Sequence, residues 1–317
     1  MDAFQKEFHA AFNAPRDRLT ALIEEVVGAR VASLERVTQG YVNEVYRAEL
    51  ASSRTVVVRI RRRGGVSFTS EAWALEAARR AGVPVPEVYA VTTLGGNEPL
   101  EVMILGLVPG RPLGELWPEL GELERSRAIK HVGGALRSLH GAEVRGWGRR
   151  GGDGGWEFAD WPSRTEAAVR DRAADLPVLL EAGLTEAETD ALLAILRTMP
   201  TLSAPPPVLC HGDLGMDHLF VDDTLNLTGV IDFGMWQGGP RELDFAVLTM
   251  YHPDVPLAWL EAGYGPLSAD VYRRVLIEQA AVEVGFLAHD LRQGNADYLA
   301  LALLGIRGTL RACQALV

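Results

Sequence analysis

Two acidic positions stand out by type and spacing. His211-Gly212-Asp213-Leu214-Gly215-Met216-Asp217-His218 follows the apolar run Val208-Leu209-Cys210. Asp232, within Ile231-Asp232-Phe233-Gly234, comes fourteen residues after His218, at the end of the apolar run 228–231. Each aspartate closes a short strand-like segment, so the two carboxylates are expected on adjacent loop ends. A single strand-end aspartate often does no more than cap a turn. An ordered pair fits phosphoryl transfer. That reaction asks little covalent chemistry of a protein. It needs an acceptor hydroxyl held in line, a carboxylate to take its proton, and divalent cations across the phosphates. Asp213 suits the base and Asp232 the metal ligand.

These loops need elements to hold them. Residues 3–12 and 16–28 read as helices, the second with Leu19, Leu22, Ile23, Val26 and Val27 on one face. Residues 42–50 and 55–60 are rich in β-branched and aromatic side chains and read as strands about a Ser52-Ser53 turn. Residues 67–81 predict a helix closed by Gly82 and unable to pass Pro84. Residues 88–92 and 100–105 predict two strands joined at Gly95-Gly96-Asn97. After Pro109-Gly110 helices dominate, over 122–140, 186–199, 269–291 and 297–316, with a glycine-rich loop at 146–155. The expectation is an α+β chain of two lobes: a β-rich unit within 1–106 and a helical unit over 107–317. A cleft between lobes is a usual ligand site.

The paired His-Gly-Asp and Ile-Asp-Phe-Gly segments resemble the signature of the aminoglycoside phosphotransferase family, small-molecule kinases related to eukaryotic-type protein kinases. The resemblance covers nearly the whole chain. It implies a protein-kinase-like fold, with Asp213 as catalytic base and His211 beside it in the catalytic loop, more a brace than a proton carrier. Gln39-Gly40-Tyr41-Val42-Asn43 resembles the loop covering the nucleotide, which makes Gly40 and Asn43 candidates. Arg59 stands in the place of the strand-borne phosphate-binding lysine. Glu71 matches the helix glutamate that pairs with it. The segment from Met103 through Leu105 and Leu107 to Pro109-Gly110 resembles the hinge that holds the nucleobase by backbone groups. Gly239-Pro240-Arg241-Glu242-Leu243-Asp244 resembles the segment beyond the metal aspartate, with Asp244 tying it to the catalytic loop. The implied cofactors are Mg²⁺ and ATP or GTP.

Three departures separate this chain from the common pattern. Arg59 replaces lysine; an arginine still offers charge and a donor fork to phosphate. His218 replaces an asparagine as the second metal ligand beside Asp232. Imidazole can bind Mg²⁺, although hard oxygen ligands suit it better. The family's aminoglycoside 2″-phosphotransferase and macrolide phosphotransferase branches also carry histidine there, which draws the chain towards them. Met235-Trp236 follows the Asp-Phe-Gly where an acidic residue is common. Trp236 is a candidate for packing on a sugar face, with a core tryptophan as the alternative. Glu278, Glu283 and Asp290, on one late helix, are candidate acids for an acceptor's ammonium groups.

The bulk numbers set the outer bounds. The chain has 317 residues, 48% of them apolar, and a formal net charge of −11, which argues against a nucleic-acid partner. Residues 1–106 hold 13 basic and 13 acidic side chains, and the rest hold 18 and 29, so the negative excess lies in the helical unit. Solvated helix faces account for such a split equally well as a field attracting a cationic acceptor. Only Lys6 and Lys130 are lysines. Cys210 and Cys313 lie far apart and read as reduced buried thiols. No membrane span is present in the pattern, and the acidic N-terminus does not fit a signal peptide. A cytoplasmic monomer or weak dimer is expected. The acceptor reads as an aminoglycoside, a macrolide or, alternatively, choline, a sugar or an amino alcohol. A nucleotide-binding pseudokinase and a metal-dependent hydrolase on His211, Asp213, His218 and Asp232 are the competing classes.

Overall fold

The computed structural model describes residues 10, 12–38, 43–62, 66–96 and 99–315. Helix α1 (Arg16–Val27) leads into strands β1 (Val31–Val37), β2 (Asn43–Leu50) and β3 (Thr55–Arg61). Helix α2 (Phe68–Arg80) and strands β4 (Val88–Leu94) and β5 (Leu100–Gly106) complete the N-terminal part. The strands form one antiparallel sheet in the order β1-β2-β3-β5-β4. The period-two alternation of side chains gives this sheet two apolar faces. Tyr46, Ala48, Val56, Val58, Ile60, Val102 and Ile104 pack against Leu19 and Ile23 of α1. Met103 and Leu105 point the other way, into a core that holds Phe68, Ala74 and Leu75 of α2. The helix expected over 3–12 lies almost wholly outside the described residues, as do Gly40 and its loop.

Beyond the short strand β6 (Arg111–Pro112) come α3 (Leu113–Leu116) and α4 (Glu122–Leu139). Strands β7 (Trp147–Arg150) and β8 (Trp156–Phe158) then form a hairpin. The glycine-rich stretch is therefore the turn of a hairpin rather than a plain loop, closed by the Gly151 N–H donating to the Gly155 carbonyl at 2.8 Å. Helices α5 (Trp161–Glu181) and α6 (Glu186–Leu196) follow. Strand β9 (Val208–Cys210) carries the chain to the His-Gly-Asp turn, and the hairpin β10 (Leu219–Val221)–β11 (Leu227–Val230) carries it to Asp232. Strand β12 (Gln237–Gly239) pairs with both β9 and β7, in a sheet of order β8-β7-β12-β9. Helices α7 (Glu242–Tyr251), α8 (Leu257–Tyr264), α9 (Ala269–Arg292) and α10 (Leu299–Gln314) end the chain. Leucines, isoleucine, valine and alanines of α5, α6, α9 and α10 make a separate core at the far end. The whole is a protein-kinase-like bilobal fold, a β-sheet lobe followed by a helical one. No helix among the described residues is long and apolar enough to cross a membrane. Both cysteines are free and buried.

Candidate active site

The site begins with how tightly the His-Gly-Asp turn is tied. Asp244, in the first turn of α7, is fully buried. Its carboxylate accepts the backbone N–H of His211 at 2.9 Å and that of Gly212 at 2.8 Å. A third partner is His140 at the end of α4, whose Nε2 lies 3.0 Å from Asp244 Oδ2. Burial pushes the Asp244 carboxyl up; these donors and the His140 charge reverse the sign and hold it below its usual value. Cys210 also adjoins Asp244 and His140, but each Asp244 oxygen already accepts hydrogen bonds, and burial raises the thiol well above its normal range. The cluster is a clamp. Gly212 has φ of 80°, and a Cβ there would collide with the Met235 carbonyl oxygen, so the turn admits glycine alone.

His211 is fully buried and both ring nitrogens are engaged. Nε2 lies 2.9 Å from the Ile231 carbonyl oxygen, and Nδ1 accepts the Asp213 N–H at 3.3 Å. That pattern fixes one neutral tautomer, and burial, then the His218 charge, lowers its pKa. His211 therefore ties the Asp213 loop to the Asp232 loop and has no free nitrogen for proton transfer. Asp213 itself is half-buried, and its Oδ1 accepts the Tyr251 hydroxyl at 2.8 Å. Burial and the Asp213 charge push the Tyr251 phenol well above its usual range, so it stays a donor.

On the opposite loop Asp232 adopts φ of 62°, the left-handed region that aspartate tolerates better than most side chains. Its Oδ1 lies 2.9 Å from an Arg59 nitrogen, and the other terminal nitrogen of Arg59 pairs with Glu71. Burial raises the Asp232 carboxyl; the Arg59 guanidinium, then His218 and His211, overcome this and bring it to about 2. Glu71 is 2% exposed, and burial pushes its carboxyl up against the pull of Arg59. The strand β3 and the helix α2 thus hand one guanidinium to the metal-loop carboxylate. His218 stands on the other side. Its Nδ1 lies 2.7 Å from the Asp213 carbonyl oxygen, which makes Nδ1 the donor and leaves the Nε2 lone pair free. That Nε2 is 4.0 Å from Asp232 Oδ2. A carboxylate oxygen and an imidazole lone pair at this separation suit one Mg²⁺, whose ligands sit at about 2.1 Å. Asp232 and His218 are the residues that would hold it.

The other candidates fall differently. Asn43 opens β2 opposite Arg61 of β3, half-buried next to the loop 39–42. Met103 and Leu105 lie inside β5, between β3 and β4, with their backbones in the ladder and their side chains buried. Beyond the strand the Leu107 side chain is exposed, its N–H donating to the Thr55 carbonyl at 3.4 Å. Trp236 is fully buried against Trp73, with ring centroids 4.9 Å apart, so it presents no face to a sugar. Glu278 forms a two-pronged pair with Arg164 of α5, at 2.9 and 3.1 Å, deep in the helical lobe. Glu283 accepts Gln279 and Thr309 at 2.9 and 3.0 Å, and burial pushes it up to about 7. Neither reaches an acceptor. Asp290 lies in the last turns of α9, where burial raises its carboxyl.

Sequence reasoning missed Tyr251, His140 and Arg149. Arg149 donates to the carbonyls of Gly234 and Trp236 at 3.1 and 3.3 Å, bracing the Asp232 loop from the β7–β8 hairpin. None of the three sits in a local motif; each meets the site only through tertiary packing.

A carboxylate on one loop, a second on the next and an arginine from the β lobe meet in a kinase-like arrangement. The chain belongs to the phosphotransferase enzyme family: that family's model matches residues 33–293. Among solved structures it is similar to a thermostable mutant of aminoglycoside phosphotransferase APH(4)-Ia in ternary complex with ADP and hygromycin B. The two share 19% identity over 92% of this chain and 97% of that one, with a TM-score of 0.73. It is also similar to APH(2″)-IIIa in complex with GDP and kanamycin, at 19% identity over 92% and 97% of the two chains and a TM-score of 0.67. The macrolide 2′-phosphotransferase MphH from Brachybacterium faecium gives 20% identity over 92% and 98%, with a TM-score of 0.62. A structure named as a fructosamine-3-kinase, from Thermobifida fusca YX-ER1, gives 24% identity over 92% and 98%, with a TM-score of 0.65. A search of curated proteins found no match.

Proposed function

We propose that this chain transfers the γ-phosphoryl group of ATP or GTP to a hydroxyl of a cationic, antibiotic-like acceptor, an aminoglycoside or a macrolide. The observation that carries the reading is the pair of loops. Asp213 already accepts a hydroxyl hydrogen, from Tyr251 at 2.8 Å, and Asp232 stands beside Arg59 and His218. In the reaction the acceptor oxygen forms a bond to the γ-phosphorus as the bond to the leaving diphosphate breaks, and the hydroxyl proton passes to Asp213. Arg59 supplies fixed positive charge to the phosphates, with Glu71 holding its other arm. Mg²⁺ bound at Asp232 and His218 would neutralise phosphate charge. Asn43 and the connector at Leu107 are the nucleotide-facing positions, and the domain division 1–106 and 107–317 follows the same split of labour.

The acceptor assignment rests on the acidic helical lobe. Solved neighbours were crystallised with hygromycin B and with kanamycin. A second reading keeps the transfer and changes the acceptor to choline, a sugar or an amino alcohol; the fructosamine-3-kinase likeness favours it. The test is a nucleotide-coupled phosphorylation screen over aminoglycosides, macrolides, choline, fructosamines and simple sugars, with ATP and with GTP. Turnover with a cationic antibiotic, and an acceptor KM that rises with ionic strength more than the nucleotide KM, is expected. A neutral or anionic best acceptor removes the charge argument. Nucleotide binding without turnover on any acceptor favours a pseudokinase.

A further inference from the structure

A cavity of 670 Å³ opens between the N-terminal turn of α2, the β7–β8 hairpin and Trp236. None of Asp213, His218 and Asp232 lines it. Its wall brings together Thr69 and Ser70 at the start of α2, Trp73, and the two arginines of the hairpin, Arg149 and Arg150.

Three independent features of this wall ask for the same ligand. The first is positive charge outside any close ion pair. No carboxylate lies within ion-pair distance of either arginine among the described residues. Arg149 spends one terminal nitrogen on the Gly234 and Trp236 carbonyls and the other on the Met235 sulfur, and burial lowers its pKa against the weaker pull of Glu157 and Glu71. The second is the 13-residue helix α2, whose first turn faces the cavity and whose N-terminus carries partial positive charge. The third is aromatic. The Arg150 guanidinium stands 5.3 Å over the Trp73 ring, so a cation and a flat apolar surface share one corner. Behind it Trp236 is fully buried, and its indole N–H has no acceptor. A buried polar group of this kind is ordinarily satisfied.

We infer that this cavity is a second ligand site, apart from the phosphoryl-transfer centre, that takes a small anion carried on an aromatic body. The arginines and the helix N-terminus hold the anion; Trp73 covers the ring. Arginine is the residue suited to both jobs, since its fork matches phosphate or carboxylate oxygens and its plane stacks on aromatic faces.

Isothermal titration calorimetry of the full chain with phenyl phosphate tests this, with inorganic phosphate as the control for the anion alone. Two variants leave the transfer centre untouched: Arg150→Gln, which removes a cation, and Thr69→Glu, which places a negative charge in the first turn of α2. An acid there suits the helix, so the second variant keeps the fold. One phenyl phosphate should bind per chain, more tightly than inorganic phosphate. Each variant should weaken it by roughly tenfold, the loss of one charge-assisted contact. Saturating nucleotide should leave the binding in place. Equal affinity for phenyl phosphate and inorganic phosphate would overturn the inference. So would affinity unchanged in both variants, or displacement of phenyl phosphate by nucleotide.

Discussion

Arg59 and Asp232 lie 173 positions apart in sequence, and their side chains meet at 2.9 Å. The contact is the hinge of the site. It joins the sheet of the β lobe to the Asp232 loop of the helical lobe, and Glu71 fixes the far arm of the same guanidinium. A lysine has one nitrogen to divide between two carboxylates; the arginine fork gives each its own donor. Removing the cation leaves Glu71 buried with the Phe233 N–H but no charge opposite it. Arg59→Gln is therefore expected to cost about 3–5 kcal/mol of stability. Arg59→Lys should lose less. Urea unfolding of the three proteins measures it, and a loss below 1 kcal/mol for the glutamine variant refutes the pairing argument.

Asp232 titrates in a direction that can be checked. Its folded-state carboxyl is held at about 2, below its ordinary value near 3.9. A depressed carboxyl contributes stability above the unfolded pKa and loses it as pH falls through the folded one. The wild type should therefore lose stability between about pH 4 and pH 2 more steeply than Asp232→Asn does. The same residue is the oxygen ligand of the proposed metal site. Asp232→Ala should abolish Mg²⁺-dependent nucleotide binding, and a titration showing unchanged affinity in that variant would remove the role.

Asp213→Asn should leave nucleotide affinity nearly unchanged while kcat falls by about 10²–10⁴-fold, the range of a lost general base. The turn itself will survive, because Asp244 and His211 hold it through main-chain groups. Comparing nucleotide Kd with kcat separates the two effects. Full turnover in the variant would take Asp213 out of the reaction.

The loop pair was legible because its chemistry is local. His211, Gly212, Asp213 and Asp232 sit in short contiguous segments, and the flanking apolar runs mark the strands that carry them. Most of the β lobe was legible for the same reason, through period-two alternation. Helix α5 was not. Its inward face includes Arg164, which only becomes a core residue once Glu278 of α9 meets it, so no apolar stripe announces it. That same pairing removed Glu278 from the acceptor candidates. Burial of a charge depends on its partner, and the partner lies 114 positions away. The hinge was read too early, at Met103, because strand β5 runs on to Gly106 and spends those backbone groups on its neighbours.

Tyr251 occupies a position where an acceptor hydroxyl would be expected to approach, since both donate to Asp213. Tyr251→Phe removes that donor and keeps the ring against Phe286, 6.0 Å away. The carboxylate loses its orienting partner. We expect kcat to fall by roughly tenfold, the scale of one hydrogen bond to a charged group, with nucleotide affinity unchanged. Steady-state kinetics in both substrates reads this. A variant altered only in nucleotide KM would place Tyr251 outside the acceptor side.

His218 gives the sharpest test, because its two nitrogens have separate duties. Nδ1 is spent on the Asp213 carbonyl, 2.7 Å away, and Nε2 is left facing Asp232. If Nε2 is a metal ligand, His218→Asn should retain substantial activity, since an amide oxygen is a natural Mg²⁺ ligand. His218→Ala should lose roughly 10–100-fold more, the scale of disrupting a metal site's support. A histidine that only braces the loop predicts otherwise: Asn and Ala would fall alike. The decisive measurement is kcat/KM for wild type, His218→Asn and His218→Ala at one fixed Mg²⁺ concentration. Raising Mg²⁺ adds a second readout, because a weakened ligand set is rescued by more metal and a misplaced loop is not.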